Sequence, residues 1–324
     1  MTRKNLLRAL NLALILLLFG GLFYYVNFPE ILTILRTASL LPLLLAVLAG
    51  LLAGYVSSIE LWILARKQGL TFSINDLFFL NLSARFYSFF SPLSSIGTFV
   101  RWQRLSGGEK PAEGLVTIAF NRTLDILVAI CAGLFWGIAA IGRFSINLPL
   151  VVSYLVGFMA GIWWLLKASA NIAGWAEQRA KAASHPILKA VFRFIVQLFL
   201  SLSVYKTFSV SELLILALTA LIGELVSLLT LVLIAVSVHI TIPIVDLGWM
   251  RPLLFLASLS PFTLAGGIGI REVSAVVIMV SLGIASGQAV AFSLLSYARA
   301  AVVSLIGGGV ELVYFFSRLG TRAR

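Results

Sequence analysis

Long apolar runs separated by short polar stretches set the plan of this chain. Residues 10–26, 40–64, 114–141, 148–166, 213–238 and 289–316 are each apolar over a length that can cross a bilayer as a helix. Two segments break the plan. Residues 75–90 read as a helix that Asn81, Ser83, Arg85 and Ser88 make too polar to cross, and it runs into Ser91-Pro92. Residues 249–269 run into a second Ser260-Pro261, after which residues 273–285 form a short apolar helix. The most polar stretch, residues 167–189, carries Glu177, Arg179 and Lys181. Residues 190–205 are apolar again but include Arg193 and Gln197, a pattern that predicts an amphipathic helix lying in the interface, with a short span as the alternative.

The two breaks echo each other. Ser91-Pro92-Leu93-Ser94-Ser95-Ile96-Gly97 leads to Arg101, and Ser260-Pro261-Phe262-Thr263-Leu264-Ala265-Gly266-Gly267-Ile268-Gly269 leads to Arg271. Pro92 and Pro261 interrupt helix, and interrupted backbone at membrane depth survives only where protein or a wet cavity surrounds it. Matching breaks in two halves are the pattern of secondary transporters built from inverted repeats. The expected fold is therefore an all-α polytopic membrane protein with about six crossings and two re-entrant hairpins in an inverted repeat. Residues 1–324 form one transmembrane domain. Its first repeat covers about 40–141, a cytoplasmic or interfacial linker about 167–206, and its second repeat about 211–317.

Composition agrees with this plan. The chain is 60% apolar and 11% charged, with a mean hydropathy of +1.06. A net charge of +12 raises nucleic acid as a partner, but the basic residues sit at the ends of apolar runs and no recognition motif accompanies them. Charge bias predicts orientation instead. With the N-terminus inside, seventeen of the 24 lysines and arginines fall on the inner side. Arg36, Arg143, Arg251 and Arg271 fall outside, and Arg85, Arg122 and Arg299 lie within membrane segments. Arg3, Lys4 and Arg8 before residues 10–26 imitate a signal peptide, but no small-x-small cleavage site follows, so an uncleaved span is expected. Both termini are then cytoplasmic, in a bacterial or archaeal cytoplasmic membrane. Cys131 is the only cysteine, and His185 and His239 are far apart, so no metal motif and no cofactor is predicted.

The breaks and the third apolar run carry a resemblance. Pro92, Gly97 and Arg101, then Asn121-Arg122-Thr123-Leu124-Asp125, then Ser260-Pro261 with Gly266-Gly267-Ile268-Gly269-Ile270-Arg271-Glu272 resemble the transmembrane region of lysylphosphatidylglycerol synthases and its stand-alone flippase-like relatives. The resemblance covers essentially the whole chain. It implies a polytopic domain that handles lipids or lipid-linked molecules. The soluble aminoacyl-transferase domain of the large synthases has no counterpart before the chain stops at Arg324, so their synthase activity does not carry over.

Several residues are candidates for function, each with a plainer reading. Arg122 and Asp125 share a helix face and form either a structural ion pair or a headgroup or proton site. Glu224 and Arg299 either pair across the bundle or supply a coupling proton. Arg271 and Glu272 mark an interface or, with Gly266, Gly267 and Gly269, an anion site where free backbone N–H groups and a guanidinium meet a phosphate. Arg101 with Gly97 is the equivalent on the other face. Arg85 is expected to snorkel to the cytoplasmic face, and Gly307-Gly308-Gly309 to allow close helix packing. No catalytic residue is assigned. The favoured function is a flippase-like transporter of an anionic lipid or lipid-linked intermediate. A membrane enzyme of polyprenyl-phosphate or glycolipid metabolism, or an accessory subunit, is the alternative. Membrane lipids and the substrate are the expected partners, with room for a homo-oligomer or a partner enzyme.

Overall fold

A computed structural model describes residues 28–90, 95–140, 148–183, 185–259 and 269–322. The described chain is helical throughout: α1 Phe28–Thr37, α2 Leu40–Lys67, α3 Ile74–Phe90, α4 Ser95–Ser106, α5 Pro111–Ala139, α6 Leu148–Ala182, α7 Pro186–Val204, α8 Val210–Ser237, α9 Ile244–Ala257, α10 Ile270–Ser281 and α11 Ser286–Arg322, with a short 3-10 turn after α7. Among the described residues, six stretches are long and apolar enough to cross a membrane: Leu40–Lys67, Pro111–Ala139, Leu155–Ala182, Pro186–Thr207, Val210–Ser237 and Ser286–Val313. The protein is an all-α integral membrane protein. The expected span at residues 10–26 lies outside the described residues. The short helix α1 was not anticipated; its Ile31 is buried in the main apolar core.

The spans are apolar on nearly every face because both packing and lipid favour apolar side chains. On α2, Leu41, Leu44, Leu48 and Leu52 face outward while Ala46, Ala49, Leu61 and Leu64 are buried. Local signals set the ends. Ser209 and Glu212 form a reciprocal capping box at the start of α8, and Pro111 opens α5 where no backbone donor is needed.

The chain extends α6 beyond the expected end at residue 166. It stays helical to Ala182, because the polar stretch is rich in alanine and carries the i,i+4 pair Glu177–Lys181 at 2.8 Å. Polarity ended the apolar run there, not the helix. α7 turns back along this second half: Trp175 meets Phe192 with ring centroids 6.0 Å apart, and Lys206 Nζ donates to the Lys167 carbonyl at 3.3 Å.

Two stretches of the chain share an order of long, short, short, long helix: α2–α5 and α8–α11. Their leading helices, α2 and α8, lie antiparallel along their whole length. The Ser39 N–H donates to the Ser237 carbonyl at 2.8 Å at one end, and Lys67 pairs with Glu212 at 2.8 Å at the other. Both leading helices end in the same turn. Gly69 (φ 69°) and His239 (φ 55°) occupy equivalent left-handed positions, and Leu70 and Ile240 donate back to the carbonyls of Ala65 and Ala235 at 3.0 and 2.9 Å. His239 is the one non-glycine residue with positive φ among the described residues. The short helices then cross over. α3 packs on α11, where Gly307 and Gly308 admit the Leu82 backbone and the Phe86 ring, and α9 packs on α5, where Gly248 admits Trp136.

Candidate functional site

Where the two stretches meet, a cavity of about 220 Å³ opens near the middle of α2. Its walls come from six helices: Gly50 and Ala53 on α2, Arg85 on α3, Ser227, Thr230 and Leu231 on α8, Arg251, Leu254 and Phe255 on α9, Arg271 on α10 and Arg299 on α11; Ser258 follows α9. α2 is about 42 Å long at 1.5 Å per residue, which puts Gly50 and Ala53 about 15–20 Å from its start. Four arginines thus converge deep in the bundle, and no carboxylate lines the cavity with them. Each charge at such depth costs about 2.5–3.5 kcal/mol on insertion scales. A fold that holds four together needs anions to offset them.

The neighbouring helices supply some. Glu224 on α8 is buried and pairs with Arg251. Arg251 also lies beside the Phe255 ring at 5.8 Å, and Arg122 lies over the same ring at 5.0 Å. Arg122 pairs with Asp125 at 3.7 Å, and Asp125 is within electrostatic reach of Arg101, Arg251 and Arg85 as well. Arg101 donates to Asn121 at 2.7 Å. Glu60 is buried on α2, within reach of Asp125. Glu272 accepts the Gly269 N–H at 3.0 Å at the start of α10, next to Arg271.

Small residues make the seats. A Cβ at Gly50 would fall 2.5 Å from Arg299 Nη1, and one at Gly54 3.8 Å from Arg85 Nη2. These two glycines, one turn apart on α2, give room to guanidinium groups from α11 and α3. The Nε of Arg299 is buried and has no hydrogen-bond partner among the described residues. It is an unused donor beside an anion-sized space.

The predicted site residues fall out unevenly. Arg271 and Arg299 line the cavity. Arg122, Asp125 and Arg101 form its flank, and Glu272 caps the helix that carries Arg271. Gly97 serves packing: a Cβ there would collide with the Ala84 carbonyl and the Ser88 hydroxyl, so it lets α4 lie against α3. Gly269 holds a φ of 149° that suits glycine. Pro92, Pro261, Gly266 and Gly267 lie outside the described residues. Two expectations are corrected. Glu224 pairs with Arg251, not Arg299, because α9 rather than α11 brings its arginine to that face. Arg85 does not snorkel to a membrane face; it turns into the bundle against Gly54 and the cavity. Arg251, counted on the outer side by charge bias, stands inside α9, which continues through Pro252. Sequence reasoning missed Arg85, Arg251 and Glu60 as site residues. For Arg85, the Gly50–Gly54 spacing was the available signal, since Gly54 makes its seat as Gly50 makes that of Arg299.

A second, larger cavity of about 700 Å³ lies near the Lys67 end, between α3, α4 and α11, lined by Phe72, Phe79, Leu80, Arg104 and Val313 among others. Beside it Glu311 accepts from Arg104 and from the Tyr87 hydroxyl, the latter at 3.1 Å. Asp76, at the head of α3, accepts from the Ser73 hydroxyl and N–H, which hold its carboxyl below the usual aspartate range. Among the described residues no group of three or more His, Cys, Asp or Glu could hold a metal ion.

Residues 8–308 match the family model described as the lysylphosphatidylglycerol synthase TM region, and so contain every residue of the arginine cavity. The chain belongs to that family. Neither the search of curated proteins nor that of solved structures found a match. Membership in the lysylphosphatidylglycerol synthase TM region family is consistent with a membrane, lipid-related role.

Proposed function

We propose that this protein is a flippase-like carrier that moves an anionic lipid or lipid-linked intermediate across the membrane. The observation that carries the reading is the convergence of Arg85, Arg251, Arg271 and Arg299 on one cavity in mid-bundle. Guanidinium groups bind phosphate through paired N–H donors, and in a dry setting those bonds strengthen. The acyl or prenyl tail would stay in lipid while the headgroup passes the arginines.

The carrier reading includes an inverted repeat, about 40–141 and about 211–317, around this site. The antiparallel α2 and α8, their matching C-terminal turns and the reciprocal packing of α3 on α11 and α9 on α5 support it. In the proposed orientation both termini and the Lys67 end face the cytoplasm of a bacterial or archaeal cell, as the charge bias suggests.

The test is reconstitution into liposomes with fluorescent lipid analogues, with and without a pH gradient. Anionic analogues should cross faster than neutral ones. Arg271→Lys keeps the charge but loses the fork, and should lower that preference. Equal rates for anionic and neutral analogues, or an unchanged preference in Arg271→Lys, would leave the arginines as parts of the fold and overturn the reading.

A further inference from the structure

The charges around the cavity do not balance, and the imbalance bears on the substrate. Besides the four lining arginines, Arg101 and Arg122 stand on the flank, linked to the others through Asp125 and the Phe255 ring. Against these six cations stand four carboxylates. Glu224 pairs with Arg251, Glu272 is next to Arg271, and Asp125 with Glu60 serves the flank. Two further ion pairs between helices, Lys67–Glu212 and Arg104–Glu311, are neutral as pairs. With every carboxylate ionised, the network keeps an excess of two positive charges. Arg299 shows where the excess lies: its Nε has no hydrogen-bond partner among the described residues, and two cations, Arg271 and Arg85, are within its electrostatic reach.

A phosphodiester headgroup carries one negative charge and would leave one guanidinium uncompensated in mid-membrane, where that is costly. A phosphomonoester carries close to two at neutral pH, and a lipid-linked diphosphate esterified at both ends, as when it bears a sugar, carries two without titrating near neutrality. We infer that the cavity is built for a dianionic lipid phosphate, a phosphomonoester or a lipid-linked diphosphate, in preference to a phosphodiester lipid. The inference rests on the carrier reading for its setting, but the charge count stands apart from transport.

Two measurements separate the two. In proteoliposomes at pH 8, fluorescent analogues of phosphatidic acid, a prenyl-diphosphate-linked sugar and phosphatidylglycerol are compared. At least one dianionic analogue should cross roughly tenfold faster than the diester, as one extra paired charge implies, and the faster of the two names the source. Arg299→Gln removes one unit of the excess and should bring the ratio close to one; Arg85→Gln takes its place if that variant is not recovered folded. A diester that crosses as fast as both dianions, or a ratio unchanged in the variant, overturns the inference and leaves an anion carrier standing. If no analogue crosses, the carrier reading fails, and binding decides the charge count. Phenyl phosphate should then raise the melting temperature of the purified protein in detergent at about tenfold lower concentration than diphenyl phosphate, and equal potency would overturn it.

Discussion

Arg299 reaches the cavity because Gly50 has no side chain. The one atom that a new Cβ would strike is the tip of that guanidinium, 2.5 Å away, and Val303 is the next neighbour at 3.6 Å. A flexible side-chain tip can swing aside at small cost, so Gly50→Val should leave the melting temperature within a few degrees while expelling the guanidinium. Anion-dependent lipid movement should fall by about tenfold or more, the loss of one charge-assisted contact. A variant that keeps full movement would show that Arg299 does not touch the passing headgroup. At this scale the sequence displayed part of the site. Arg299 and Glu224 were visible because a charge inside an apolar run is conspicuous, and Arg271 because it ends the second of the two echoed breaks. Arg85 was hidden among Asn81, Ser83 and Ser88, which gave its helix a surface-like composition, although Asn81 in fact donates to Ser58 on α2 at 2.8 Å inside the bundle. The partner of Glu224 was out of reach, since it depends on which of two later helices rotates an arginine toward α8.

Glycines set how closely the short helices approach the long ones, and they do so unequally. At Gly307 a Cβ would collide with the backbone carbonyl of Leu82, which cannot swing away, so α11 would have to move off α3. At Gly133 a Cβ would meet Pro252 at 3.6 Å, an ordinary contact between α5 and α9. Gly307→Ala should therefore destabilise the folded protein by about 1–3 kcal/mol, the range for overpacking, while Gly133→Ala should be neutral or slightly stabilising through its better helix propensity. Thermal unfolding in detergent reads both; equal melting temperatures for the two variants would contradict the packing. Helix identity was legible from the apolar runs, and close packing at Gly307 and Gly308 followed from the glycine cluster alone. The continuation of α6 to Ala182 and of α9 through Pro252 was not legible. Charge was taken as the end of α6, and Pro252 carried no reading; alanine content in one case and neighbouring helices in the other keep the helix going.

For the molecule as a whole, the antiparallel α2 and α8 constrain the path between them. α5 leaves the Lys67 end, where Lys110 bonds the Gly69 carbonyl at 2.9 Å. α6 returns to that end, since the Lys167 carbonyl lies beside Lys206 there. Residues 148–166 of α6 are about 28 Å long, enough for one crossing. α8 also starts at the Lys67 end, with Glu212 on Lys67. We propose from this path that α7 begins and ends without a net crossing. It folds back on residues 167–182, and its foot is tied down where Gln68 donates to the Ser201 carbonyl at 2.7 Å. Pro186–Thr207 has the length and hydropathy of a span; in the proposed topology it is the returning arm of a hairpin that extends past the Lys67 end. That path matters for function, because a crossing at α7 would make the two repeats parallel and remove the inverted plan around the arginines. The test is thiol labelling on a Cys131→Ser background with cysteines at Ala183, at the hairpin tip, and at Gly108, before α5. Both should react from the same side of the membrane, the cytoplasmic one in the proposed orientation. Labelling of Ala183→Cys from the side opposite Gly108→Cys would make α7 a true crossing and would dismantle the inverted-repeat reading, while the arginine cavity would remain to be explained on other terms.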